Sequence, residues 1–378
     1  MTKIVDLDLI CLDYSIAQDL AYGTSRGLNN KRSSSIVRLT TSDGVVGYGE
    51  ASGTTGPIRE YLGVLRSFFI GQRLYDFGAI TQLVEAKLDH FGEGHHLSCL
   101  SGINIAAHDA MGKTLGVSVC DLIGGRITQR IPCYATTGYV TRDGMAGLER
   151  QLAAIDRTQF VGAKIKIGIN PKSDVERVRL ARKMLGDDML LMVDVNANYT
   201  ADIALQSARA IEPYDIHWIE EPLPGTDLAG HRELRSRSPI PIATGEGYHS
   251  LHQFKALIEA RGADIIQPAI GKVSGISGMQ AIATLAAADN IRLAPAVWGG
   301  AFIMVAAMHF MASRSSAPHV GNIPFPRMLE FDVGDNPMRD LLLREKLTPR
   351  DGCIDLPDGP GLGVAIDLEA MRPYGYTG

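Results

Sequence analysis

Two lysines and three carboxylates have the most chemistry to offer in this chain. Lys164 and Lys166 stand in Ala163-Lys164-Ile165-Lys166-Ile167-Gly168. On a strand, alternate side chains share a face, so both ammonium groups point one way and Ile165 and Ile167 the other. Buried together, each lowers the pKa of its neighbour, and a neutral amine is a base. Left in water, the same pair is an ordinary edge strand. Asp194, Glu220 and Glu246 favour the first reading. They follow one another in steps of 26 residues, and each closes a short apolar run: Met192-Val193-Asp194, Trp218-Ile219-Glu220 and Ala243-Thr244-Gly245-Glu246. Such a step is one strand plus one helix, which sets the three side by side on consecutive strands. Three crowded carboxylates repel unless a hard cation lies among them. One Asp and two Glu suit Mg²⁺ with positions open for substrate oxygens. The plainer alternative is ion pairing at the same place.

The elements that must hold these residues are readable from period and punctuation. From Ile131 onward, short apolar strands alternate with amphipathic helices, with strands expected at 131–138, 163–168, 190–196, 216–220, 241–246, 264–269, 292–297 and 328–333. Eight such units point to an α/β fold of the (β/α)₈ type, a TIM barrel, whose C-terminal strand ends form the active face. An open doubly wound sheet is the competitor, but the chain has neither Gly-x-Gly-x-x-Gly nor a Gly-x-x-x-x-Gly-Lys-Ser/Thr phosphate loop. Before the barrel, Ser35–Leu39 and Val45–Glu50 flank Thr41-Ser42-Asp43-Gly44, a hairpin signal. From Ile58 to Ile123 the period is helical, as in Ile103–Met111. An α+β domain over 1–128 is expected, then the barrel over 129–335 and a tail over 336–378 that returns to the first domain. Residues 20–33 and 51–57 read as irregular loops.

Composition narrows the classes. The chain has 378 residues, 45% hydrophobic and 21% charged, enough to bury a large core. A formal net charge of -5 leaves no basic footprint for nucleic acid and no polybasic membrane patch. The five cysteines are scattered and never form Cys-x-x-Cys, as expected of reduced thiols in a cytoplasmic protein. The opening Met1-Thr2-Lys3-Ile4-Val5-Asp6 reads as a strand with charges in it rather than a targeting signal.

Together these motifs resemble the enolase superfamily, and within it the mandelate racemase and muconate-lactonising enzymes. The resemblance runs through Ser101-Gly102-Ile103 to Gly124-Gly125, Lys164-Ile165-Lys166, Val193-Asp194-Val195-Asn196, Ile219-Glu220-Glu221-Pro222, Gly245-Glu246 and Asp358-Gly359-Pro360-Gly361-Leu362-Gly363. It implies a cap domain, built from the N-terminal region and the tail, over a modified TIM barrel. It implies Mg²⁺ on Asp194, Glu220 and Glu246, and removal of the proton α to a carboxylate. Lys166 would be the base; Lys164 would bind a carboxylate oxygen and depress the Lys166 pKa. Homo-oligomers are common for this fold, so one is expected.

The chain also departs from that family. Racemase-like members carry an Asp in Gln-Pro-Asp and a His in Pro-His-x-Trp-Gly. Here the frames read Gln267-Pro268-Ala269 and Pro295-Ala296-Val297-Trp298-Gly299. Lactonising members place a lysine where Ala269 stands. Two-base racemisation needs an acceptor on each face, and only the lysine face is visible. A single base still permits β-elimination or ring opening if the leaving oxygen is assisted. Lys272, Tyr248, His249 and His252 are candidates for that assistance, each against an ordinary surface role; His217 reads as packing. Glu330 in Leu329-Glu330-Phe331-Asp332 either bonds the substrate carboxylate or makes an ordinary salt bridge. That stretch, with Asn336-Pro337, looks like those of sugar-acid dehydratases and sugar-lactone cycloisomerases. Arg26, Lys31 and Arg32 are placed to meet a distal anion or to lie in a solvated loop. The expectation is a dehydratase or cycloisomerase for a small carboxylate substrate; the alternatives are a racemase or epimerase, and a binding protein that kept the metal site.

Overall fold

The computed structural model describes residues 1–88, 94–314 and 327–377. The chain opens with β1 (Ile4–Ser15), β2 (Tyr22–Thr24), β3 (Gly27–Asn29), β4 (Lys31–Thr41) and β5 (Val46–Ala51), followed by α1 (Thr55–Phe69), α2 (Phe77–Leu88), α3 (His95–Leu115) and α4 (Val119–Leu122). Strands β1, β4 and β5 form an antiparallel sheet, with the β4–β5 hairpin turning at Asp43-Gly44 as its sequence signals. Helix α3 lies directly on β5 because Gly47 and Gly49 have no side chain to hold it off. A Cβ on either would sit 2.1 or 2.2 Å from a helix carbonyl oxygen.

The second part alternates as expected: β6 (Arg130–Thr137), β7 (Val140–Thr141), α5 (Met145–Ala153), β8 (Gly162–Lys166), α6 (Pro171–Leu185), β9 (Leu190–Asp194), α7 (Ala201–Ile211), β10 (Ile216–Glu220), α8 (Leu228–Arg237), β11 (Ile242–Thr244), α9 (Leu251–Glu259), β12 (Ile265–Ile266), α10 (Gly275–Ala288), β13 (Arg292–Leu293), α11 (Ala301–Ala312) and β14 (Leu329–Asp332). The parallel strands run in the order β13-β12-β11-β10-β9-β8-β6-β14, a curled TIM-barrel-like α/β sheet beneath the N-terminal cap. Its interior is a ring of inward side chains, Tyr134, Met192, Trp218, Ala243, Ile265, Ala294 and Met328, nearly one from each strand. Because the side-chain period is two, Met192 and Trp218 in that apolar layer put Asp194 and Glu220 in the layer above it. The charged layer thus sits at the C-terminal mouth.

Three expectations fail locally. Residues 20–33 are not irregular: β2 pairs with both β3 and β7, through Tyr22↔Thr141 and Gly23↔Val140, and β4 begins at Lys31. The pairing partner lies more than a hundred residues away, so the local polar composition gave no hint of it. The loop after β5 is also shorter than 51–57, since α1 starts at Thr55 with Pro57 in its first turn, where a missing N–H is harmless. Strands β12 and β13 are two residues each rather than six, because Pro268 and Pro295 lack the donor that would extend the ladder.

The cap is tied to the barrel by buried polar contacts. Glu50 on β5 accepts hydrogen bonds from Ser34 Oγ (2.7 Å) and from the amides of Gly300 (2.8 Å) and Ile303 (3.3 Å), at the N-terminus of α11. Arg32 on β4 pairs with Asp332 on β14 at 2.7 Å, its guanidinium between the rings of Tyr22 and Trp298. After β14 come α12 (Pro337–Asp340) and β15 (Cys353–Asp355), which pairs antiparallel with β6. The tail then meets α3, where Asp109 accepts the Leu362 amide at 2.8 Å. Among the described residues, no helix is long and apolar enough to cross a membrane.

Candidate active site

Strand register brings the predicted residues together. Lys166 lies beside Asp194, and Asp194 beside Glu220, at the ends of β8, β9 and β10. The whole of β8 is buried, with Lys164 1% and Lys166 7% exposed, so the strand is no edge in water. The chain turns sharply just past the acids: Asn196, Ala197 and Glu221 all have positive φ (53°, 58° and 39°). Such conformations are costly for side chains other than glycine and collect where structure serves a site.

Each lysine is held by carboxylates. Lys166 Nζ is 2.5 Å from Asp194 Oδ2. Lys164 Nζ contacts Glu220 Oε1 and lies 2.9 Å from Glu330 Oε1. Glu220 Oε2 accepts from Gln267 Nε2 (2.6 Å) and Trp218 Nε1 (3.2 Å), and Asp194 accepts from the Asn196 amide (2.8 Å) and Nδ2 (3.1 Å). Glu330 has both oxygens engaged, Oε1 by Thr136 Oγ1 (2.7 Å) and Lys164, Oε2 by the Val297 amide (2.8 Å). It therefore fixes Lys164.

The carboxylates add a pull that opposes the lysine pair. Burial alone would lower the Lys166 pKa, but the pull of Asp194, Glu246 and Glu220 outweighs burial and the neighbouring Lys164 and leaves it above the ordinary value. Lys164 is likewise raised, its burial overcome by Glu220 and Glu330. The lysine pair alone suggested mutual depression; the flanking acids reverse it. On the acid side, burial pushes Glu220 up to about 8 against the pull of Lys164, with Asp194 and Glu330 adding to the rise. Glu330 goes the other way, to about 2, because Lys164, Thr136 and the Val297 amide overcome its burial. Glu221, which the sequence gives no role beyond the Glu220-Glu221-Pro222 motif, shares a hydrogen bond with Glu246; burial and that second acid raise its pKa well above the usual range.

These shifts report excess negative charge, which a hard divalent cation would relieve. The donor chemistry fits one: Asp194, Glu220 and Glu246 offer hard oxygens, and the side-chain oxygens of Asn196 and Gln267 beside them are buried without a partner. As the side chains lie, no three His, Cys, Asp or Glu among the described residues stand grouped to hold a metal, since Lys164 and Lys166 are docked on Glu220 and Asp194.

A cavity of about 500 Å³ opens over this mouth beneath the cap. Lys166, Asn196, Glu246 and Glu330 line one part of it. Ala269, Lys272, Ala296 and Trp298 line another, and Tyr22, Asn29, Lys31, Arg32 and Ser52 come from the cap. The alanines are buried and paired with each other in a parallel bridge. Lys272, on the chain after β12, donates from Nζ to the Glu246 carbonyl at 2.6 Å. Three strands stand between β12 and β8, and Lys272 and Lys166 line the same cavity from these separate strand ends. The other candidates stand elsewhere: the Tyr248 hydroxyl is turned to the Gly225 carbonyl (2.6 Å), and none of Tyr248, His249 and His252 lines the cavity. Of the cap cations, Arg32 is only 7% exposed and paired with Asp332, while Lys31 pairs with Asp13. Arg26 is exposed and stands outside the cavity lining.

Comparison with known proteins agrees with this geometry. Residues 147–371 match the enolase C-terminal domain-like model, and residues 14–124 match the mandelate racemase / muconate lactonizing enzyme N-terminal domain. The chain is 34% identical over 349 residues to the D-galactarolactone cycloisomerase of Agrobacterium fabrum, covering 91% of this chain and 92% of that one. It is 31% identical over 355 residues to the L-rhamnonate dehydratase of Saccharopolyspora erythraea, covering 90% and 85%. Among solved structures, a racemase from Streptomyces coelicolor with bound magnesium superposes with a TM-score of 0.86 at 27% identity, covering 99% of this chain and all of the other.

Proposed function

This chain belongs to the mandelate racemase/muconate lactonizing enzyme family of the enolase superfamily and is an enzyme of the lyase or isomerase type, and on that premise we propose that Lys166 removes the proton α to the carboxylate of a hydroxylated acid or its lactone. The observation that carries this reading is the one-sided mouth: a buried lysine at the end of β8 shares its cavity with two alanines that pair with each other. Proton removal leaves an enediolate, which expels the β-oxygen as water from an open acid or as the ring oxygen of a lactone. The enol then takes up a proton to give a 2-keto acid. Lys164, clamped by Glu330, binds one oxygen of the substrate carboxylate. Mg²⁺ held by Asp194, Glu220 and Glu246 would supply charge stabilisation for the enediolate oxygens. Lys272 presents its ammonium group from the opposite side and meets the departing oxygen. The relatives include a lactone cycloisomerase and a sugar-acid dehydratase, which supports hydroxylated acids as the substrate class.

The test is incubation in heavy water with Mg²⁺ across a library of aldonic and aldaric acids and their lactones. Deuterium at the α carbon, or a 2-keto product, is expected with at least one member, and Lys166→Ala abolishes it. Absence of exchange with every acid, from protein that binds Mg²⁺, overturns the proposal in favour of a binding protein. Recovered substrate with inverted configuration would instead show an epimerase.

A further inference from the structure

Behind the active face, α6 carries two buried groups that grip the end of β8. Arg177 is 2% exposed; its Nε donates to the Lys166 carbonyl at 2.7 Å and its Nη2 to the Gly138 carbonyl at 2.5 Å. The Lys166 amide also donates to Gly138 O, at 3.2 Å, so one guanidinium staples the two strand ends together. Three residues earlier, buried Asp174 accepts the Gly168 amide at 2.8 Å, and its other oxygen takes the hydroxyls of Tyr199 (2.7 Å) and Ser207 (2.6 Å). The helix therefore holds the backbone on both sides of Ile167.

The ladder ends here, which explains why a clamp is needed. Gly138 and Gly168 turn the chain away with φ of 60° and 97°. Carbonyls at this strand end therefore rely on side-chain donors as well as the ladder: Arg177 for Gly138 and Lys166, and Asn198 Nδ2 for Gly168 (2.9 Å). A buried guanidinium is a costly donor, since among the described residues Arg177 has no carboxylate within ion-pair distance. Burial accordingly pulls its pKa down to about 10, with Asp174 offsetting part of the fall. A bidentate fork, however, fixes two carbonyls in one geometry, as a neutral single donor cannot.

We infer that Arg177 is the positioning residue of the site, setting the backbone from which Lys166 reaches the substrate; this rests on Lys166 being the base. The same helix supplies the control. Arg182 clamps carbonyls in the same manner, those of Tyr214 (3.1 Å), Gly186 and Met189 (2.8 Å each) and Asp215 (2.9 Å). Gly186 and Met189 precede β9, and Tyr214 and Asp215 precede β10, so this clamp lies at the opposite, N-terminal face of the barrel. Contacts at that face serve stability rather than chemistry.

The experiment compares Lys166→Ala, Arg177→Gln, Arg177→Lys and Arg182→Gln in the Mg²⁺-loaded enzyme. Misplacement of a reacting group by about 1 Å costs about a hundredfold in rate. Arg177→Gln is therefore expected to lower kcat by about that factor with KM little changed, and to raise the α-deuterium isotope effect on kcat as proton transfer becomes limiting. Arg177→Lys, which can hold one carbonyl, recovers part of the loss and serves if the Gln variant does not fold. Arg182→Gln loses thermal stability without change in kcat or isotope effect. Equal kcat losses in Arg177→Gln and Arg182→Gln, or an unchanged isotope effect in the Arg177 variants, overturn the inference. A Lys166→Ala enzyme that still turns over removes the base assignment instead.

Discussion

The two halves of the barrel mouth are built on one scaffold and furnished in opposite ways. Strands β8 to β11 end in Lys166, Asp194, Glu220 and, just beyond β11, Glu246, all charged. Strands β12 and β13 lead into Ala269 and Ala296, whose backbones continue the pairing while their side chains offer nothing to a proton. The framing residues persist on the plain half: Gln267 still donates to Glu220, and Trp298 still lies on Arg32. Removing chemistry from a strand end evidently need not disturb the strand. In the function proposed above, one half of the mouth handles the α-proton and the other acts through Lys272, three residues beyond Ala269.

Lys272 offers the sharpest way to break that division. If its ammonium group meets the leaving oxygen, Lys272→Met lowers kcat by about a hundredfold, the scale of removing one donor from a developing anion. Exchange of the α-proton, which belongs to the Lys166 half, continues. Parallel loss of exchange and product formation would show that the halves are not separable. A smaller effect comes from refurnishing the plain half. Ala269→Asp with Ala296→His returns a second-face acceptor to frames that still pair, and a small fraction of substrate recovered from heavy water is expected with inverted configuration. Retention of configuration in every recovered molecule would mean that the alanine side is out of reach of the α carbon.

The furnished half was legible in the sequence and much of its support was not. Period-two alternation and equal 26-residue steps are local signals, and they located Lys164, Lys166, Asp194, Glu220 and Glu246 before any coordinates. The upward pull of Asp194 on the Lys166 pKa is not legible in the sequence, because it depends on how near the two come across a ladder. Arg32 looked like a loop cation; its partner Asp332 lies 300 positions away, and only the closed fold buries the pair. Arg177 carried no motif, since a donor to backbone carbonyls can be any residue of suitable length. Glu221 was visible as the second acid of Glu220-Glu221-Pro222, yet its pairing with Glu246 follows from a left-handed backbone at φ 39° that composition does not announce.

Behind the mouth, the plain half holds a buried histidine whose titration should leave turnover at neutral pH untouched. His309 on α11, fully buried, accepts the Cys120 amide on Nδ1 (3.2 Å) and faces the Leu362 carbonyl with Nε2 (3.0 Å), so one neutral tautomer satisfies both cap and tail. Burial pulls its pKa from 6.5 down to about 4; the Leu362 carbonyl and Asp121 pull upward, and Arg126 adds to the fall. A base with a depressed folded pKa contributes stability that is full above 6.5 and is lost as pH falls towards 4, because the unfolded chain takes the proton first. The depression corresponds to about 3 kcal/mol at most. His309→Asn keeps an acceptor for the Cys120 amide but cannot titrate. Denaturant unfolding at pH 7.5 and 5.0 should therefore show a smaller pH dependence in the variant than in the wild type. His108, His217 and His249, also depressed by burial, leave a residual slope. An identical pH dependence in both proteins would mean that His309 keeps its unfolded-chain pKa in the fold and that its burial does not favour the neutral ring.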